Sequence, residues 1–442
     1  MNVYVTISNV GADAGPFNLF SDIDGFLSAF ESNIPKTDLE AGFASENAPA
    51  GTSIIRVRSV NKLCNNFQDV AIVPLDYLFE PSPGSYLVDF LDVDTAAFVY
   101  GYFNGYLNGT FTVPGNLVVK LNPDKTADTS FDIGEGFNFS TVFIGATIVQ
   151  QVDGKLLFSG FYSSFNGVPA NKIIRLNPNG TRDNSFNAGV GFNDYTTKIA
   201  EEPATGKLYI TGRYSSYNGV SANRIIRLFP DGSIDNTFDS GTGFNTVSID
   251  VIVNFDGSIY VTGYFSSYDG NPAPSIIKLN SDGSVDNSFN FGTGFAPGGN
   301  RVININRIPG DPNFYCAGQF TAYNGVSLGS IVKLDPTGAI VPTSEFDSGS
   351  GFDGSPGMIK IVFGNKLYFN SVTGDEFTEY NGVPSAGNII LNADGSIHKT
   401  WPIVYNNVYV IGNDVFGTPT GGVNQIIYTY DPLATTTTTT TV

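Results

Sequence analysis

One phrase of 51 to 57 residues recurs along most of the chain. A clear copy runs Leu208-Tyr-Ile-Thr-Gly-Arg-Tyr-Ser-Ser-Tyr217-Asn218-Gly219-Val220, then Arg224-Ile-Ile-Arg-Leu228, then Asp231-Gly-Ser-Ile-Asp-Asn-Thr-Phe238, and closes on Gly243-Phe244. The aromatic that ends the Asp-Gly-Ser segment falls at Phe131, Phe186, Phe238, Phe289, Phe346 and Trp401, so neighbours stand 55, 52, 51, 57 and 55 residues apart. A long fixed period means one supersecondary unit copied and stacked. It limits the fold to repeat architectures before any local reading begins.

The grammar of the unit says what is copied. Each copy holds three short runs rich in Val, Ile, Tyr and Phe, separated by Asn-Gly, Asp-Gly and Gly-x-Gly. Lys207-Leu-Tyr-Ile-Thr211 and Arg224-Ile-Ile-Arg-Leu228 alternate with a period of two, the mark of a strand. Asn-Gly and Asp-Gly supply positive φ at low cost, as tight hairpins require. No stretch after residue 45 has helical periodicity. The unit therefore reads as an antiparallel sheet of three or four strands.

Such a sheet cannot bury both faces alone, but sheets packed face to face around an axis can. The Ile-Ile-Arg-Leu-like strand occurs at 117–121, 173–176, 225–228, 276–279, 331–334, 389–391 and 426–430. The expected fold class is all-β, a seven-bladed β-propeller preceded by a small β-sandwich-like N-terminal domain. The last copy stops at Asp431 with no Asp-Gly-Ser segment after it, and Ser85-Tyr-Leu-Val-Asp-Phe-Leu-Asp92 is expected to complete that blade and lock the ring. A linear solenoid would leave edges in need of caps.

The run Gly-x-Phe-x-x-Tyr-Asn-Gly-Val, followed by Ile-x-Arg-Leu-Asn-x-Asp-Gly-Ser-x-Asp-x-Ser-Phe, resembles the delta-60 repeat family of β-propellers. The match is strong at 155–192, 207–244, 258–295 and 313–352, and degraded near 97–137 and 365–401. The resemblance implies a propeller of the kind found in bacterial surface proteins and phage proteins, with no established catalytic chemistry.

Residues 1–73 read as a separate β-sandwich-like attachment module. Asn2–Ser8 and Ser53–Ser59 alternate as strands, Ala71-Ile-Val73 closes the segment, and Thr37–Gly42 suggests a helical turn capped by Thr37 or Asp38. Its phrase Ile7-Ser-Asn-Val-Gly-Ala-Asp-Ala-Gly-Pro-Phe-Asn-Leu19 resembles N-terminal modules on virion proteins of tailed, crAss-like phages of Bacteroidetes. Residues 74–84, with Pro74, Pro81 and Pro83, form a linker; 85–432 form the propeller of about seven repeats; 433–442 form a poly-Thr tail. That tail reads either as a disordered, soluble end or as a strand that adds to a neighbour's sheet edge, and it is similar to tails on structural proteins of the same phages.

Charge and composition exclude several functions. Lys+Arg 22 against Asp+Glu 41 gives a net charge of −19, which repels nucleic acid. No apolar run approaches the roughly 20 residues needed to span a bilayer. The first residues lack the basic region and apolar core of a signal peptide. Cys64 and Cys316 fall in different domains and are read as two lone thiols. One histidine and two distant cysteines cannot assemble the usual zinc set.

Candidate site residues are few. His398, the only histidine, stands where other copies have Asp183, Asp235 and Asp286, and reads as drift in a degraded repeat. A Ser-His-Asp site would have to use it, and no glycosidase-type carboxylate pair stands out. The Asp231-Gly-Ser-Ile-Asp235 and Asp282-Gly-Ser-Val-Asp286 pieces lack the length and later Glu of a calcium loop and read as capped turns. Phe165, Tyr217, Tyr268, Tyr323 and Tyr380 recur at one place in successive copies, beside Asn166, Asn218, Asp269, Asn324 and Asn381. They pack between blades, or they form a ring of exposed aromatics that stacks on sugars.

The reading that joins these features is a structural virion protein of a tailed bacteriophage, a tail or vertex appendage whose propeller docks proteins or binds a host-surface protein or glycan. It implies no enzyme activity and no cofactors or metal. The expected partners are other virion proteins, held through the N-terminal module and the poly-Thr tail, and further copies of the chain in a symmetric homo-oligomer. It implies synthesis in the host cytoplasm and location in the virion, with no nucleic-acid partner and no membrane insertion. Two alternatives are a bacterial cell-surface adhesin or carbohydrate-binding propeller, which calls for an export signal, and a propeller hydrolase or lyase, which the single histidine disfavours.

Overall fold

The computed structural model describes residues 3–5, 16–41, 43–45, 47, 49, 54–60, 67–71, 86–93, 96–103, 115–122, 128–139, 147–371, 377–401, 405–411, 414–419 and 425–429. The linker at 74–84, Cys64 and the poly-Thr tail lie outside these residues.

The chain folds as a β-propeller. Seven antiparallel units recur among the described residues, each with a first, second and third strand in sheet order. Unit 1 is Tyr86–Val93, Ala96–Phe103 and Gly115–Leu121; unit 2 is Thr147–Gln150, Leu156–Ser159 and Ile173–Leu176. Unit 3 is Thr196–Glu201, Leu208–Gly212 and Ile225–Leu228; unit 4 is Ser248–Val253, Ile259–Gly263 and Ile276–Leu279. Unit 5 is Phe295–Asn306, Phe314–Tyr323 and Ile331–Leu334, and unit 6 is Pro356–Val362, Lys366–Ser371 and Asn388–Leu391. Unit 7 is Tyr405–Ile411, Asp414–Pro419 and Gln425–Thr429. A fourth position is reduced to one bridge in units 2 to 5 (Leu176 with Arg182, Leu228 with Ile234, Leu279 with Val285, Leu334 with Ile340). In unit 6 it is a full strand, Ile397–Thr400.

The stacking follows from alternation. Leu208 and Ile210 share a core with Leu157 and Ile173 of unit 2, while Tyr209 and Ile225 share the next core with Ile259 and Val261 of unit 4. Both faces of the middle strand are thus buried, which explains an apolar run with no exposed partner face. Each fully buried large side chain contributes about 1.5–3 kcal/mol. A single core joins Tyr368, Ile390 and Trp401 of unit 6, Val415 of unit 7, Val99 of unit 1 and Phe158 of unit 2. The first strands of units 7 and 1 also lie together, so the last unit meets the first.

One expectation needs correction. The strand at Tyr86–Val93 does not complete the last unit; it pairs with Ala96–Phe103, from Tyr86 opposite Tyr102 to Val93 opposite Ala96. It is the first strand of unit 1. A two-residue connection makes that local hairpin easy to form, whereas joining unit 7 would require a long-range pairing.

The N-terminal segment holds a four-stranded sheet ordered Ala29–Ile34, Phe17–Ser21, Ile54–Ser59, Phe67–Ala71. Phe17, Leu19, Ile55 and Val57 are buried at alternate positions. A separate pair joins Val3–Val5 to Phe43–Ser45, and the helix is Lys36–Ala41.

Candidate functional site

The recurrent Asn-Gly lies at the tip of a hairpin between the second and third strands. Asn218 (φ 49°) and Gly219 (φ 78°) both have positive φ, the two-residue turn that Asn-Gly favours, and Tyr217 pairs with Val220 across it. The Asn218 backbone N–H donates to the Gly191 carbonyl (2.8 Å), and its side-chain Oδ1 accepts from the Val190 N–H (3.2 Å). Asn166, Asp269, Asn324 and Asn381 accept in the same way from Gly136, Thr242, Thr293 and Gly351. These side-chain oxygens, four amide and one carboxylate, staple each hairpin to the Gly-x-Gly connection before it. A Cβ on Gly189 would meet Asn218 Oδ1 at 2.1 Å, so that connection needs glycine.

The aromatic ring of the expected binding set is corrected by burial. Phe165, Tyr217, Tyr268, Tyr323 and Tyr380 are each 2% exposed or less. Tyr217 packs against Phe192 at 4.6 Å between centroids and donates its hydroxyl to the Gly232 carbonyl at 2.8 Å. Tyr268, Tyr323 and Tyr380 donate likewise to Gly283, Gly338 and Gly395. Burial pushes all four hydroxyls well above their ordinary range. These rings have no face left for a sugar. The neighbouring Asn and Asp side chains remain exposed.

The acids of the repeat also work internally. Asp231 Oδ1 accepts from the Ser233 N–H (2.9 Å) and hydroxyl (2.6 Å), closing the Asp-Gly-Ser turn. Asp235, 1% exposed, receives Arg227 Nε (2.7 Å), Lys207 Nζ (3.0 Å) and the Thr237 hydroxyl (2.6 Å). Burial alone would raise this carboxyl, but those donors outweigh it and hold it well below the usual carboxylate range. Arg227 also donates to the Ser281 carbonyl of unit 4, joining two units. Unit 2 repeats the set with Arg175, Asp183 and Lys155, and Arg175 reaches the Pro230 carbonyl of unit 3. Lys278 with Asp286, and Lys333 with Asp311 and Glu345, fill the place in units 4 and 5. Sequence reading missed these pairs, although in units 2 to 4 a cation and an acid eight residues apart was the available signal.

Around the axis the first strands are tied in sequence. Thr147 donates to the Thr197 carbonyl (3.1 Å), Thr197 to the Ser248 carbonyl (2.9 Å), and Asn306 to the Ile359 carbonyl (3.0 Å). Asp250, 4% exposed, accepts from the Ile305 N–H at 3.1 Å and faces Lys198 at 3.6 Å. Burial raises its carboxyl against the pull of Lys198. Cys316 is free and buried, and its thiol is pushed up by that burial. His398 is half-buried, its imidazole lowered by burial and by Lys366 and Lys399. Among the described residues, no group of three or more His, Cys, Asp or Glu is placed to hold a metal.

Unit 2 departs from the pattern. Phe165 occupies the tyrosine position, so the carbonyl of Gly180, fifteen residues on, receives no phenol. Arg182 stands where the other units carry Ile234, Val285, Ile340 and Ile397. Beside these two replacements a cavity of about 300 Å³ opens, lined by Phe165, Ile133 and Val168 together with Asp132, Asn166 and Arg182. Two of the sequence-predicted residues, Phe165 and Asn166, therefore meet here, while the other eight sit in separate units.

Residues 151–186, 204–238 and 256–289 match the model of a family described as a domain of unknown function (DUF5122) beta-propeller. These segments lie in units 2, 3 and 4 and include the second and third strands and the Asp-Gly-Ser segment. No curated protein matches the sequence. Among solved structures, a catalytically inactive variant of virginiamycin B lyase from Staphylococcus aureus, determined with quinupristin, is similar at 15% identity and a TM-score of 0.41, over 81% of this chain and 97% of that one. The β-propeller domain of the Trilobed protease from Pyrococcus furiosus is similar at 13% identity and a TM-score of 0.39, over 79% and 98%. BamB from Moraxella catarrhalis follows at 10% identity and a TM-score of 0.27, over 80% and 96%.

Proposed function

We propose that this chain is a non-enzymatic display scaffold, a structural protein of a tailed-phage virion whose propeller binds a host-surface glycan or docks a neighbouring protein. The observation that carries the scaffold reading is the employment of the repeat's own chemistry. Its tyrosine hydroxyls, asparagine amides and Asp-Arg pairs are spent on joining strands and units, which leaves a stiff body whose exposed connections vary from unit to unit. The virion assignment is supported by the resemblance of the N-terminal phrase and the poly-Thr tail to phage structural proteins. On this reading the N-terminal module and the tail attach the protein to other virion subunits in several symmetric copies. The protein needs no cofactor or metal, and it is made in the host cytoplasm.

Electron cryomicroscopy of the native particle tests it. The expected result is density for this chain at a tail or vertex, with the N-terminal module inward and the propeller exposed. A propeller enclosed by other subunits would leave docking and remove host binding. A chain found in no particle would overturn the virion reading.

A further inference from the structure

We infer that the outer edge of unit 7 is a docking site for the poly-Thr tail of a second copy of this chain. The inference deepens the tail arm of the proposed function and rests on copies of the chain lying side by side. Units 2 to 5 each return one residue to the outer edge of the third strand. Unit 6 returns a full strand, Ile397–Thr400, against Asn388–Leu391. Among the described residues nothing pairs with the outer edge of Gln425–Thr429 in unit 7. Tyr86–Val93 does not fill that place, since it opens unit 1. An edge left bare offers its N–H and C=O groups to any strand that reaches it.

The tail carries suitable residues at the right distance. In units 2, 3 and 6, five residues separate the end of the third strand from its partner in the fourth position: Leu176 from Arg182, Leu228 from Ile234, Leu391 from Ile397. Aligning Ile426-Ile427 with Ile225-Ile226 sets Thr429 on Leu228, and after five residues the poly-Thr run begins at Thr435. Thr435–Thr441 thus falls in register with the fourth segment, and threonine is a residue that strands favour. From Pro432 to Thr441 no side chain is charged, so the tail can approach a copy carrying −19 without repulsion.

The connection decides which copy receives the tail. Units 2 to 6 each turn through a glycine four residues past the third strand, with φ of 89° at Gly180, 87° at Gly232, 94° at Gly283, 91° at Gly338 and 88° at Gly395. Leu433 holds that place in unit 7, and Pro432 stands where Asp231 caps the turn of unit 3. A leucine disfavours positive φ, so the tail does not double back through the common turn. It adds instead to the bare edge of a neighbour, whose own tail has left in the same way.

The test follows the full chain by analytical ultracentrifugation over a range of concentrations, with hydrogen exchange read on the tail. Self-association with protected tail amides is expected. Thr436→Pro/Thr438→Pro removes two donors from the tail without touching the propeller, and is expected to weaken association by tenfold or more. Pro432→Asp/Leu433→Gly/Ala434→Ser writes the common turn into unit 7. It is expected to give a monomer whose tail stays protected, because each tail then returns to its own edge. A wild-type monomer would overturn the exchange, whether its tail is protected or not. Association unchanged by either set of substitutions would overturn it too. These results come from the purified chain and are separable from the virion reading. Exchange can fail while density for this chain still stands at a tail or vertex, and it can hold for a chain found in no particle.

Discussion

Units 3 and 6 share one template, and among their differences one pair of positions is the most telling. In unit 3, Arg227 on the third strand meets Asp235 beyond the turn; in unit 6 the same positions hold Ile390 and His398. Ile390 is fully buried in the core shared with units 7, 1 and 2. The cation and the acid have been lost together. This is what buried electrostatics demands, because a lone buried charge is far more costly than a well-packed apolar side chain. The backbone responds as well. Asp235 Oδ1 takes the Thr237 N–H at 3.0 Å, and the fourth position stops at one bridge. Without that carboxylate, Ile397–Thr400 forms a full strand in which Lys399 pairs with Ile390. A side-chain acceptor and the ladder compete for the same segment; unit 5, which has Val341 at the acid's place and still stops at one bridge, carries Pro342 next, which cannot donate to a ladder.

The sharpest way to break the comparison is Asp235→Ala. It strands Arg227 in the core and should cost about 3–5 kcal/mol in urea denaturation. Arg227→Ile combined with Asp235→His copies unit 6 and should recover most of that loss. The Ser281 carbonyl that Arg227 leaves lies at an exposed residue and can turn to water. If the double variant is as unstable as Asp235→Ala, the loss in unit 6 was tolerated for some other reason.

Acid sharpens the same point. Asp183 and Asp235 are held below the usual carboxylate range, so the unfolded chain binds protons more readily than the native one there. Their contribution is complete above about pH 4, the ordinary carboxylate value, and drains away as pH falls through the depressed native values. Urea midpoints measured downward from pH 7 should therefore fall below about pH 4, and less steeply in the Arg227→Ile/Asp235→His variant. Equal slopes in the two proteins would show that the pair does not hold its proton off.

His398→Asp runs the experiment in reverse and should be milder. It restores the acid without its arginine, at a half-buried position facing Lys366 and Lys399. A loss of about 1 kcal/mol is expected, the scale of a weakened hydrogen bond. The more specific sign is local: amide exchange at Lys399 should speed up as the new carboxylate draws the outer strand away from Ile390. Unchanged protection there would detach the ladder from the acid.

These contrasts also mark what could be read from residues alone. The three strands, the Asn-Gly hairpin and the Asp-Gly-Ser turn were legible because each is set by neighbours a few positions away. The partner of Tyr86–Val93 was not, since alternation says that a strand exists but leaves its pairing open. The tyrosines were ambiguous for a related reason. Ser216-Tyr217 alternates well enough, but nothing local reveals that Phe192 and the Gly232 carbonyl close over Tyr217. Arg182 was visible as a charge in an Ile and Val column, but nothing local shows that it lies beside Phe165.

The smallest effect compares units 2 and 3 through a single hydroxyl. Tyr217→Phe removes the bond to Gly232 and leaves a buried carbonyl unsatisfied, so it should cost about 1–3 kcal/mol. Phe165→Tyr adds that hydroxyl opposite Gly180 and should gain about 0.5–1.5 kcal/mol, the net value of a made hydrogen bond. The two changes have opposite signs, since one strips a buried glycine carbonyl of its phenol and the other supplies one. Thermal melts of both single variants and of the double would decide it. A destabilising Phe165→Tyr would mean that the backbone of unit 2 has moved off the common template, and that its cavity arises from more than the two substituted side chains.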